Sequence, residues 1–174
     1  MDFRSDNVTG VCPEIMAAIA AANDGSAAAY GEDAWTERVQ AAFNALFERE
    51  VTVFPVATGT AANALSLASL SPVYGAIYAH AAAHITVDEC NAPEFYTGGA
   101  KVVAVPGADG KITGADLDVL LAGATPHGHH NAQPAAVSIS QATEVGTVYG
   151  VDEFSAIGGV CRDHGVALHM DGAR

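Results

Sequence analysis

The chain is 174 residues long, enough for one sizeable core, and half of it is apolar. Its 20 acidic residues against 7 basic ones leave a formal net charge of −13, a surface that repels phosphate backbones and argues against nucleic-acid binding. Every long apolar stretch is interrupted by polar residues, which argues against a membrane span, and Asp2 and Arg4 directly after Met1 do not resemble a secretory leader.

From the N-terminus, an extended opening leads to a helix over Pro13–Ala22, with Pro13 suited to the first turn. A second helix starts at Asp33, an N-cap residue, and Trp35, Val39, Phe43 and Leu46 recur on one of its faces. Val51–Val56 is an apolar, β-rich run and reads as a strand. Thr58-Gly59-Thr60 breaks it before an alanine-rich helix that ends at Ser71-Pro72. Further strands are expected at Ala76–Ala79, Lys101–Val105, Ala135–Ser140 and Val166–Met170, with helices at Gly114–Ala122 and Asp152–Asp163. Apolar strands alternating with helices predict an α/β fold, a mostly parallel sheet covered on both faces. No linker stands out, so the chain reads as a single α/β unit.

Cys12, Cys90 and Cys161 are odd in number, far apart and without CxxC spacing. They read as incidental or buried thiols of a reducing, cytoplasmic environment, and no metal site is expected from them.

Four places could carry chemistry. Ala57-Thr58-Gly59-Thr60-Ala61-Ala62-Asn63 reads either as an ordinary capped helix start or as a phosphate site. In the second case backbone N–H groups, the positive helix end and threonine hydroxyls would do the work of a lysine. Neither GxxxxGK[ST] nor GxGxxG is present. The terminal run Val166–Arg174 would deliver Asp171 at the end of an apolar strand, where open α/β sheets bind ligands. Asp171 could hold a heterocycle's ring nitrogen protonated, bind a metal, or simply close a turn; His169 shares its face of the strand. His84 is a lone histidine beside Asp88 and Glu89, and these two carboxylates, as chain neighbours, make a poor acid/base pair. His127, His129 and His130 lie in a Gly- and Pro-rich loop and read as a solvated turn.

Together these segments resemble the threonine aldolases (beta-eliminating lyases), PLP-dependent enzymes of aspartate-aminotransferase type. Arg4-Ser5-Asp6-Asn7-Val8-Thr9 resembles the family's RSDTVT opening, Tyr30-Gly31-Glu32-Asp33 its YG[DE]D, and Thr58–Asn63 its [SNT]GTxAN. Ala83-His84-Ile85 resembles AH[IVN], and His169-Met170-Asp171-Gly172-Ala173-Arg174 matches H[ML]DGAR. Asp88-Glu89-Cys90 with Ala92–Phe95, and Gln141–Gly146, are similar to a bacterial low-specificity subgroup.

The resemblance implies an N-terminal arm followed by part of a PLP-binding large domain, with the C-terminal part and the small domain absent. It implies that Gly59 and Thr60 hold the phosphate of pyridoxal 5'-phosphate and that His84 stacks on its ring and acts as a base. Asp171 would pair with the ring nitrogen, Arg174 and Ser5 would bind the substrate carboxylate, and Tyr30 would reach into a neighbouring subunit's pocket. The implied reaction is retro-aldol cleavage of L-threonine or L-allo-threonine, β-hydroxy-α-amino acids, to glycine and acetaldehyde by a homodimer or homotetramer. Many relatives carry a histidine in an ENTHN segment roughly where Thr143 stands, which leaves His84 as the base. The family's Schiff-base lysine is matched by neither Lys101 nor Lys111, the only two lysines. The 174 residues alone are therefore expected to be inactive. An aminotransferase, a β-eliminating lyase of the same fold and a non-catalytic binding module are the alternatives.

Overall fold

The computed structural model describes residues 8–173 and divides into two units, Met1–Pro55 and Val56–Arg174. The first unit holds α1 (Pro13–Ala22) and α2 (Ala34–Leu46). Pro13 occupies the first turn of α1 as expected, and the Asp33 carboxylate caps α2 by accepting the N–H groups of Trp35 and Thr36, each at 2.9 Å. Neither helix has a buried residue.

The strand expected at Val51–Val56 does not form. Two side chains one turn apart on α2 take up this backbone instead. Asn44 Oδ1 accepts the Val51 N–H at 2.9 Å, Gln40 Oε1 accepts the Val53 N–H at 3.2 Å, and Gln40 Nε2 donates to the Val51 carbonyl. A β-prone run becomes a strand only where another strand completes its ladder. Among the described residues of this unit none does, and side-chain amides satisfy the backbone groups.

The second unit contains α3 (Gly59–Leu70), β1 (Gly75–His80), α4 (His84–Val87), α5 (Ala92–Tyr96), β2 (Lys101–Val105), α6 (Gly114–Ala122), β3 (Gln133–Ser140), α7 (Val151–Asp163) and β4 (Ala167–Asp171). All strand pairings are parallel, in the order β2-β1-β3-β4. Short helices α4 and α5 are additions to the sequence reading. Their four and five residues carry too little periodicity to be recognised from pattern alone.

Alternation along β1 divides the core. Ala76 and Tyr78 join Leu117, Leu121, Ile157 and Cys161 of α6 and α7, whereas Ile77 and Ala79 join Leu67 of α3 and Ile85 of α4. Both faces of the sheet are therefore covered, as near-continuous apolar strands require. Full burial of side chains such as Leu67, Ile77 and Leu117 contributes about 1.5–3 kcal/mol each. The second cluster is rich in alanine (Ala79, Ala83, Ala100, Ala136), so α3 can approach the sheet closely. Gly107, just beyond β2, has no room for a side chain, because a Cβ there would meet the Lys111 carbonyl oxygen at 1.8 Å.

Candidate functional site

Parallel strands place all their C-terminal ends on one edge of the sheet. The chain leaves β1 toward β2 on one side and later leaves β3 toward β4 on the other, so the C-terminal ends of β1 and β3 flank the point where ligands bind in open α/β sheets. Three segments meet near this edge: the start of α3, the α4 region that follows β1, and the end of β4.

Residue Thr58 caps α3, its Oγ1 accepting the Ala61 N–H at 3.1 Å, while the Ala62 N–H reaches the Thr58 carbonyl at 3.0 Å. Such a cap contributes about 1 kcal/mol. The N–H groups of Gly59 and Thr60 belong to the first turn, where no helical carbonyl precedes them. A Cβ on Gly59 would meet nothing within 4 Å, so this turn is open to a ligand. Of the two sequence readings the structure displays the capped helix start, with the first-turn N–H groups of Gly59 and Thr60 on its open side.

One turn further along α3, on the face shared with Gly59 and Thr60, stands Asn63, which is buried. Its Nδ2 donates to Glu89 Oε1 at 2.8 Å and to Asp171 Oδ2 at 3.0 Å. Glu89 Oε1 also lies 2.9 Å from His84 Nδ1. A continuous chain of contacts therefore runs from Asp171 through Asn63 and Glu89 to His84. The other Asp171 oxygen, Oδ1, accepts the Ala173 N–H at 3.2 Å.

The electrostatics separate the two histidines. The hydrogen bond to the Glu89 carboxylate holds the His84 imidazole above the ordinary histidine value against its partial burial, and the charges of Glu89, Glu144 and Asp88 add to this. Burial pushes His169 below that value, against the opposing pull of Asp171 and Glu89. His169 is bonded through Nδ1 to Ser138 Oγ at 2.9 Å, which makes it a core histidine under the sheet edge. The side chain of His84 is 40% exposed.

Of the residues singled out in the sequence, the structure brings His84 and Asp171 into one network and sets Gly59 and Thr60 a turn away from it. Ser5 and Arg174 lie outside the described residues. Tyr30 is in the N-terminal unit, fully exposed, with a left-handed φ of 63°. Thr143 is buried and tied to Thr147 by an Oγ1 to Oγ1 contact of 2.7 Å, so it builds a turn and offers no base. Lys111 pairs with Glu153 at 2.9 Å, and Lys101 opens β2 at the edge of the sheet.

Sequence reasoning missed Glu89. As a pair with Asp88 it is poor, and the two do point differently, Asp88 exposed and Glu89 buried. Its real partners are His84, five residues earlier, and Asn63, 26 residues earlier, and only the short α4 turn makes the first of these contacts possible. Asn63 was visible in the [SNT]GTxAN resemblance but had no role there.

A family profile described as beta-eliminating lyase matches residues 2–174. The chain belongs to that family. It is 46% identical over 173 residues to a low specificity L-threonine aldolase of Pseudomonas aeruginosa, covering 99% of this chain and 49% of the relative. The protein of the same name from Saccharomyces cerevisiae is 29% identical over 176 residues, with 44% of its length covered. Among solved structures, the threonine aldolase of Leishmania major superposes with a TM-score of 0.88 at 33% identity, over 96% of this chain and 48% of that one. The parallel sheet flanked by helices is thus the fold shared with threonine aldolases, as the sequence motifs implied. The chain spans about half the length of the curated relatives it matches.

The donor set in this beta-eliminating lyase chain fits a pyridoxal phosphate. It offers first-turn N–H groups with no helical partner for a phosphate, a half-buried imidazole for a ring face, and a strand-end carboxylate held by Asn63 and the Ala173 N–H for a ring nitrogen.

Proposed function

We propose that the protein carrying this chain is a PLP-dependent aldehyde-lyase that cleaves L-threonine and L-allo-threonine to glycine and acetaldehyde. The observation that carries this reading is the network Asp171–Asn63–Glu89–His84 at the ligand-binding edge of the sheet, in a chain similar to threonine aldolases along its length.

Bound PLP supplies an electron sink for the charge left at Cα when the Cα–Cβ bond breaks. Gly59 and Thr60 hold its phosphate through N–H groups and a hydroxyl. Asp171 would accept a hydrogen bond from the ring nitrogen and keep that nitrogen protonated. His84 would face the ring and take the proton of the substrate β-hydroxyl through Nε2, since Nδ1 is committed to Glu89. Arg174 and Ser5 bind the substrate carboxylate, arginine through its planar fork. Tyr30 approaches the site of a neighbouring subunit in a homodimer or homotetramer. Half-exposed Val11, Ile15, Met16 and Ile19 of the N-terminal segment support such pairing.

The Schiff-base lysine is neither Lys101 nor Lys111 on this reading, because Lys111 is engaged by Glu153 and Lys101 is on the outer strand. Residues 1–174 alone would then turn over no threonine, and the cytoplasmic enzyme would need the remaining length that its relatives have. Incubating the complete gene product with PLP and threonine tests the reading, with acetaldehyde and glycine expected. The family description makes β-elimination the second reading, and it would release a 2-oxo acid instead.

A further inference from the structure

Glu89 is the least solvated acid of the site, its side chain 0% exposed. Oε1 contacts both Asn63 and His84, while Oε2 is buried with no partner among the described residues. A buried carboxylate with an unpaired oxygen is costly unless a cation stands beside it. Among the described residues, the side chain that stands beside it is His84, with Nδ1 2.9 Å from Oε1, and His84 also feels the more exposed carboxylates of Asp88 and Glu144. On the far side, Asn63 shares its amide between Glu89 and Asp171, so its two N–H groups separate two acids that would otherwise repel.

We propose that Glu89 is the positioning residue of this site: its buried Oε1 anchors the Nδ1–H of His84, leaving Nε2 as the nitrogen that meets substrate, and through Asn63 it locks Asp171 into the same unit. A carboxylate is an acceptor only, so the neutral imidazole beside it is fixed as the Nδ1–H tautomer and exchanges its proton at Nε2. What His84 does to substrate rests on the function proposed above. The anchoring does not, and it can be read without turnover.

The experiment is a titration of 15N-histidine-labelled complete gene product, without cofactor and with PLP, with the His84 signal assigned by its loss in His84→Asn. In the wild type, Nδ1 should stay protonated across the titration while Nε2 loses its proton, with a midpoint above that of an ordinary histidine. Glu89→Gln should lower that midpoint by about one pH unit. Glu144→Gln, which acts only through space, should move it less. The acid limb of kcat/KM should follow the midpoint in Glu89→Gln.

An Nε2–H tautomer in the wild type overturns the proposal and requires no variant to fold. An unmoved midpoint in Glu89→Gln, or an equal movement in Glu144→Gln, overturns it as well. A lowered midpoint with an unmoved acid limb upholds the anchoring by Glu89 and removes His84 as the hydroxyl base, which separates failure of the function from failure of this inference.

Discussion

Asn63 Nδ2 lies 3.0 Å from Asp171 Oδ2, a contact that joins the first turns of α3 to the last residue of β4 across 108 positions of sequence. The same amide reaches Glu89 at 2.8 Å, so one neutral side chain ties a helix start, a strand end and the buried acid behind His84 together.

Replacing Asn63 with alanine should therefore do two things at once. It leaves Glu89 and Asp171 without their shared donor, and the unmet groups should cost about 1–3 kcal/mol of stability. PLP affinity should fall in parallel, because Asp171 loses its fixed orientation. Urea unfolding and a PLP absorbance titration of the complete gene product check the two effects. Unchanged stability and affinity would mean the contact is incidental.

His84 and His169 should impose opposite pH dependences on stability. The His84 value is raised in the folded state, so its stabilisation is present below an unfolded value of about 6.5 and is lost as pH rises through the folded value. His169 is lowered by burial, so stability is full above about 6.5 and falls as pH drops toward the folded value, because the unfolded chain binds the proton first. His169→Gln should flatten the acid side of a stability profile, and His84→Asn the other side. Melting temperatures between pH 5 and 8 would display both.

Substituting His84 by asparagine should reduce kcat by roughly 10²- to 10⁴-fold, the range for loss of a general base. Acetaldehyde release at saturating threonine is the measurement. A near-wild-type rate would move the proton transfer to another group.

Gly107→Ala should destabilise the second unit by on the order of 3 kcal/mol, the upper end for overpacking. The added Cβ would fall 1.8 Å from the Lys111 carbonyl oxygen, and backbone cannot rotate away as a side chain can. Thermal unfolding gives the answer directly.

Much of this architecture was legible in the residues. The strand Lys101–Val105 and the helices Pro13–Ala22 and Gly114–Ala122 have the bounds that their patterns suggest, because β-branched runs and capped periodic segments are local signals. Val51–Val56 was misleading for a reason that sequence does not show: Gln40 and Asn44 supply its hydrogen bonds. Gly59, Thr60, His84 and Asp171 sit in recognisable strings, and the structure joins two of them, His84 and Asp171, in one network. Glu89 was not legible, since its importance comes from burial and from an amide 26 residues away, neither of which leaves a periodic trace.

The most direct test of the account is product analysis of the complete gene product, reconstituted with PLP and supplied with L-threonine. Equal amounts of glycine and acetaldehyde, lost when Asp171 is replaced by asparagine, are the predicted result. Release of a 2-oxo acid in their place, or tight PLP binding with no turnover of threonine or allo-threonine, would contradict it.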